Sequence, residues 1–143
     1  MPSVTNVLVV GDNNVGKTSL VHYLKYDEPL ESPSATVGVE FTTLRLDGHS
    51  FHVWDVEGLH TMSLIDISRF SHVFVVCDAA DVSTVQPYVN HLTARHTTPA
   101  TLVANKCETV PPPHGYMATS ALLGTGVNAL RRRLLQLQLN NVA

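Results

Sequence analysis

The sequence predicts an α/β domain built on a mostly parallel sheet of about six strands flanked by helices, and three observations carry that prediction. First, the run Thr5–Val10 is nearly all apolar with no alternation, as in a strand covered on both faces. Second, two further runs of the same kind, His72–Asp78 and Ala100–Ala104, follow it along the chain. Third, a stretch of helical periodicity comes after each of the three, and strands alternating with helices make a parallel sheet that holds ligands at the carboxyl ends of its strands. The 143 residues suffice for one such domain, 1–143, and a chain of this size buries roughly two thirds of its unfolded surface without a metal or disulfide.

Taken in order, Lys17–Tyr26 carries Leu20, Val21 and Leu24 at helical spacing. Pro29 and Pro33 bar its continuation, so Asp27–Gly38 reads as a long loop of the kind that is usually functional. Glu40–Leu46 and His49–Asp55 both alternate apolar and polar residues across Asp47-Gly48, a two-residue hairpin signal, and predict an antiparallel pair. Val56–Ser71 contains Gly58 and a short helix over Met62–Ser68. Ser83 is a plausible cap for a helix reaching Ala94, with Val85, Val89 and Leu92 on one face and Pro87 in its first turn. The last helix, Val127–Leu139, points Val127, Leu130, Leu134 and Leu137 at the core. Pro111-Pro112-Pro113 bars helix and central strand alike and predicts an extended, exposed connection.

Composition excludes several classes. With 44% hydrophobic and 15% charged residues the chain is globular, and a net charge of −3 argues against general nucleic-acid affinity. Arg131-Arg132-Arg133 reads as a solvated helix face. Cys77 and Cys107 are too few for a disulfide scaffold and fit a reducing, cytoplasmic compartment. No run reaches the ~20 apolar residues of a membrane span. Pro2 and the ending Asn140-Asn141-Val142-Ala143 carry no lipidation signal, so no direct membrane anchor is expected. The eight histidines never take the spacing of a helical zinc site and read as scattered surface residues.

The chemistry-bearing stretch is Gly11-Asp12-Asn13-Asn14-Val15-Gly16-Lys17-Thr18. It lies between a strand and a helix, the context that a phosphate-binding G-x-x-x-x-G-K-T loop requires. Its glycines let backbone N–H groups from Asn13 to Lys17 wrap an anion, Lys17 adds a cation near the β- and γ-phosphates, and Thr18 offers a hydroxyl to Mg²⁺.

With four further stretches in matching order, the whole chain resembles a small GTPase of the Ras superfamily, nearest in wording to the Rab branch. Thr36-Val37-Gly38-Val39-Glu40-Phe41 resembles the first switch; the resemblance implies that Thr36 binds Mg²⁺ and meets the γ-phosphate. Trp54-Asp55-Val56-Glu57-Gly58 resembles the second switch, where Asp55 would hold Mg²⁺ through water and the Gly58 N–H would sense the γ-phosphate. Asn105-Lys106-Cys107-Glu108 resembles the guanine-reading Asn-Lys-x-Asp, and Thr119-Ser120-Ala121 resembles the loop whose backbone meets the guanine oxygen. The ligands so implied are GTP or GDP and Mg²⁺.

The departures from that pattern are informative. Leu59 stands where the family has the glutamine that orients the attacking water; it can neither donate nor accept a hydrogen bond, which predicts very slow hydrolysis or none. Asn13 and Asn14 are larger than the usual residues at the centre of the phosphate loop. Glu108 replaces aspartate with one more methylene. Pro29 falls near the aromatic that usually covers the base. Between Asn105 and Ser120 there is no room for the family's fourth helix, which predicts its deletion and a bared sheet face. The reading that follows is a guanine-nucleotide-binding, switch-like protein with no intact catalytic set, acting through protein partners at residues 36–41 and 55–68 and at the face of the missing helix. The alternative is a structural pseudo-GTPase subunit of a larger complex, with weak or no nucleotide binding.

Overall fold

The structure, a computed structural model, describes residues 4–31, 38–95 and 98–140. The expectations for Pro33, Thr36 and His96 fall outside them. The elements in order are β1 (Val4–Val10), α1 (Lys17–Tyr26), β2 (Val39–Leu46), β3 (His49–Val56), α2 (Gly58–Ser63), β4 (His72–Asp78), α3 (Gln86–Arg95), β5 (Ala100–Asn105), β6 (Met117–Ala118) and α4 (Val127–Asn140). One sheet has the order β2-β3-β1-β4-β5-β6, in which only β2 runs antiparallel.

The unbroken apolar run of β1 follows from its position. It pairs with β3 on one side and β4 on the other, so both faces of the strand meet helices. Val7 and Val9 pack beneath α1 and α4, against Leu20, Val21, Leu24, Leu130 and Leu134. Leu8 and Val10 pack on the opposite face with Met62, Ile67, Val85, Tyr88 and Leu92. The four core positions predicted for α4 are all buried. Strands that end together at the carboxyl edge of such a sheet gather the loops after β1, β3 and β5 at one place.

Several boundaries differ from expectation for local reasons. The helix expected over Met62–Ser68 splits: α2 begins at Gly58, and a 3₁₀ turn follows at Ile67–Arg69. Asp66 accepts both the N–H and the hydroxyl of Ser68, a side-chain turn that competes with helix. Ser83 gives its hydroxyl to Asp81 and lies in a 3₁₀ turn, Val82–Val85, so α3 starts only at Gln86, with Pro87 in its first turn. The two-residue β6 is too short to leave a pattern in sequence.

Residues 106–116 form turns and no helix, so the parallel β5–β6 crossover, usually helical, is here a bare loop. Two residue readings are corrected. Arg131 is not a solvated charge: its guanidinium donates to the carbonyls of Tyr23 and Leu24 and to Asp27, tying α4 to the C-terminus of α1. His72 is not on the surface but 1% exposed, its Nε2 2.6 Å from the Thr101 hydroxyl. Burial pushes its imidazole down to about 4, with Arg133 adding to the effect. Among the described residues no helix is long and apolar enough to cross a membrane.

Candidate functional site

The loop 11–16 leaves the end of β1 and turns into α1. Gly11 (φ +150) and Gly16 (φ +90) hold conformations that other residues rarely adopt. A Cβ on Gly11 would lie 2.2 Å from the Val76 carbonyl oxygen, and one on Gly16 would lie 2.3 Å from Nδ2 of Asn105. Val15 is buried in the core cluster with Val9 and Leu20, which anchors the loop from below. Asn14, at φ +66, aims its carbonyl at Lys106, whose Nζ donates to it across 2.6 Å.

Lys17 is only 6% exposed, and its Nζ donates to the Asp12 carbonyl at 2.8 Å. Burial lowers its pKa; Asp55, Asp12 and Glu57 act against that shift. The Thr18 hydroxyl donates to Oδ2 of Asp55 at 2.6 Å. Asp55 itself is 3% exposed at the end of β3. A hydroxyl and a carboxylate side by side, beside a phosphate loop, are the hard oxygen donors that Mg²⁺ takes, so the residues fit the ion.

Asn105, at the end of β5, is 1% exposed and joins three loops. Its Nδ2 donates to the Val15 carbonyl at 2.9 Å, and its Oδ1 accepts from the Thr119 hydroxyl at 3.0 Å and the Ala121 N–H at 3.2 Å. Beside it lies a cavity of about 190 Å³ lined by Gly16, Pro29, Lys106, Glu108, Ala121 and Leu122 among others. Ser120 is fully buried, and its Oγ accepts from the Leu123 N–H. The structure thus brings Asn105, Lys106, Glu108 and Ala121 together around one pocket, with Pro29 at its wall, while Ser120 does not line it. Cys107 borders the same loop, and burial raises its thiol pKa.

On the opposite side of the loop, the second-switch residues close over it. The Gly58 N–H donates to the Gly11 carbonyl at 3.3 Å. Glu57 accepts from Nδ2 of Asn13 at 2.7 Å through Oε1 and from the Gly38 N–H at 3.1 Å through Oε2. Leu59 points outward, 38% exposed, close in sequence to the exposed Leu64. Val39 and Phe41 on β2 are also exposed, and the Phe41 ring meets Trp54 edge-on with centroids 4.8 Å apart.

Sequence reasoning missed three groups here. Glu57 carries no role in the second-switch resemblance, yet its carboxylate bridges the phosphate loop and the start of β2. Asp12 bonds to Tyr88, whose hydroxyl reaches Oδ1 at 2.6 Å from the buried side of α3; burial and that bond raise the pKa of Tyr88. The available signal was charge: two carboxylates, Asp12 and Glu57, stand inside stretches meant to hold phosphate. Among the described residues no cluster of histidine, cysteine or carboxylate groups has metal-binding spacing.

Similarity to known proteins follows the same region. The family described as Roc, the Ras of Complex domain of DAP kinase, matches residues 6–108. Ras-related protein Rab-19 of Mus musculus is 35% identical over 81 residues, covering 54% of this chain and 37% of its own. Ras-related protein Rab-7L1 of Homo sapiens is 32% identical over 122 residues, 73% of this chain and 60% of its own. GTPase Der of Persephonella marina is 30% identical over 149 aligned residues, 92% of this chain and 32% of its own. The matches thus span from about a third to three fifths of the length of these relatives.

Proposed function

The chain belongs to the Ras-superfamily GTPase domains, and on that premise we propose that it is a guanine-nucleotide-binding, switch-like protein that binds GTP with Mg²⁺, hydrolyses it very slowly or not at all, and acts through protein partners. The observation that carries the reading is the pairing of Thr18 with Asp55 at 2.6 Å directly beside the buried Lys17. Those three groups are what a Mg²⁺–triphosphate needs from a protein: oxygen donors for the ion and a cation for the phosphates. Mg²⁺ bound at Thr18 and, through water, at Asp55 would neutralise phosphate charge. The base would enter the cavity at Asn105, where the Glu108 carboxylate is available to the donor edge of guanine and would face an acceptor on adenine.

Slow hydrolysis rests on Leu59, an apolar side chain where a water-orienting group is needed. Partner binding rests on the exposed apolar side chains of Val39, Phe41, Leu59 and Leu64 within the two switch segments. The sheet face over β5, with Leu102 and Tyr116 half-buried, is a second candidate surface. The experiment is single-turnover hydrolysis of bound GTP measured beside GTP affinity. Tight binding with a rate far below that of the Leu59→Gln variant supports the reading, and rapid turnover contradicts it.

A second reading is favoured by one specific observation: two donors of the cradle bond to the chain itself, Lys17 to the Asp12 carbonyl and the Gly58 N–H to the Gly11 carbonyl. A pseudo-GTPase subunit that keeps the fold without nucleotide would be built so. Failure to bind any guanine nucleotide in Mg²⁺ would select it.

A further inference from the structure

One group at the site belongs to neither the metal nor the base chemistry. The Glu57 carboxylate lies between the phosphate loop and the beginning of β2. One oxygen takes a hydrogen bond from the Asn13 amide at 2.7 Å, and the other takes one from the Gly38 N–H at 3.1 Å. The Glu57 N–H in turn donates to the Gly38 carbonyl at 2.9 Å, so the contact with Gly38 is two-way. The next residue, Gly58, closes on Gly11 at the head of the phosphate loop. A carboxylate is an oxyanion with two acceptors, and here it gathers donors from the phosphate loop and the exit of the first switch. A terminal phosphate at this end of the cradle would gather the same two segments. Asp12, bonded to Tyr88, adds a second negative charge that, like Glu57, acts on Lys17.

We propose that Glu57 acts as an internal occupant of the terminal-phosphate position and makes the site select a nucleoside diphosphate over a triphosphate. The inference rests on the guanine-nucleotide-binding part of the reading above and makes GTP the weaker of the two ligands of that site. A diphosphate leaves the Asn13–Glu57–Gly38 bridge in place. A triphosphate must bring its terminal phosphate against a carboxylate of like charge or break both hydrogen bonds to displace it, and like charges held at contact distance oppose one another strongly. Glu57 is then a specificity-determining residue, and the junction of loop 11–16 with β2 is held by protein instead of by the γ-phosphate.

The test is equilibrium titration of the full chain, in Mg²⁺, with GDP and with a non-hydrolysable GTP analogue, for the wild type and for Glu57→Gln and Glu57→Ala. Thermal unfolding of each protein establishes that it is folded. Gln keeps the size and an acceptor oxygen but removes the charge; Ala removes both. The expected wild-type result is GDP tighter than the analogue by about tenfold or more, with analogue affinity rising about tenfold in Glu57→Gln, at least as much in Glu57→Ala, and GDP affinity changing less than about threefold. Equal affinities in the wild type, or a ratio that both variants leave unchanged, overturns the inference while leaving nucleotide binding intact. Binding of neither ligand to the wild type overturns the nucleotide-binding reading, and this inference with it.

Discussion

The Thr18 hydroxyl and the Asp55 carboxylate, 37 residues apart, meet at 2.6 Å because loop 11–16 returns the chain from the end of β1 into the start of α1 and β3 lies beside β1 in parallel register. Chain order places one donor at a helix start and the other at a neighbouring strand end, and the sheet brings both to its carboxyl edge. Everything proposed for the metal depends on that pair.

Replacing Thr18 with Ala removes the hydroxyl and leaves a buried carboxylate without that donor. GDP affinity in Mg²⁺ should fall by about tenfold to a hundredfold, while affinity in EDTA should change little. Titration of wild type and variant under both conditions checks this; an equal loss in EDTA would show that Thr18 acts on the fold instead of the ion.

Leu59→Gln should raise single-turnover GTP hydrolysis by at least about tenfold, since it restores a group able to orient water. An unchanged rate would place the limit elsewhere, and Asn13, held on Glu57, is the next residue to change.

Glu108→Ala should lower GDP affinity by about tenfold or more and erase discrimination between GDP and ADP, because the cavity beside Asn105 would lose the acceptor for the guanine donor edge. Competition titrations with both nucleotides read this out. Retained selectivity would assign base recognition to other residues.

The protein should lose stability in mild acid through His72. Its native imidazole is held near about 4 against an ordinary 6.5, so between those values the unfolded chain takes a proton that the folded chain refuses. The contribution is fully present above about 6.5 and is lost as pH falls toward about 4, at up to roughly 1.4 kcal/mol per pH unit. Denaturant unfolding across that range should show a shallower slope for His72→Phe, and an identical slope would exclude the residue.

Legibility in the sequence followed the range of the interaction. The core stripe Val127, Leu130, Leu134, Leu137 and the hairpin at Asp47-Gly48 are local patterns, and the structure shows both where they were expected. The missing helix was legible only against the family pattern, from the short span between Asn105 and Ser120 with its three prolines. The gathering of Asn105, Lys106, Glu108 and Ala121 was legible only through resemblance, since nothing local to those residues announces a shared pocket. What escaped was long-range and polar: Tyr88 reaching Asp12 across 76 residues, Asn13 reaching Glu57 across 44, and Arg131 capping α1 from the far end of the chain. A side chain's partner in another element leaves no periodicity, and a buried histidine in an apolar strand reads like an exposed one.

The most direct test of the central claim is calorimetric titration of the purified chain with GDP, once in Mg²⁺ and once in EDTA, with ADP as the control. The account predicts one saturable site per chain that is strengthened by Mg²⁺ and specific for guanine. Absence of binding under both conditions, or equal binding of ADP, would contradict it.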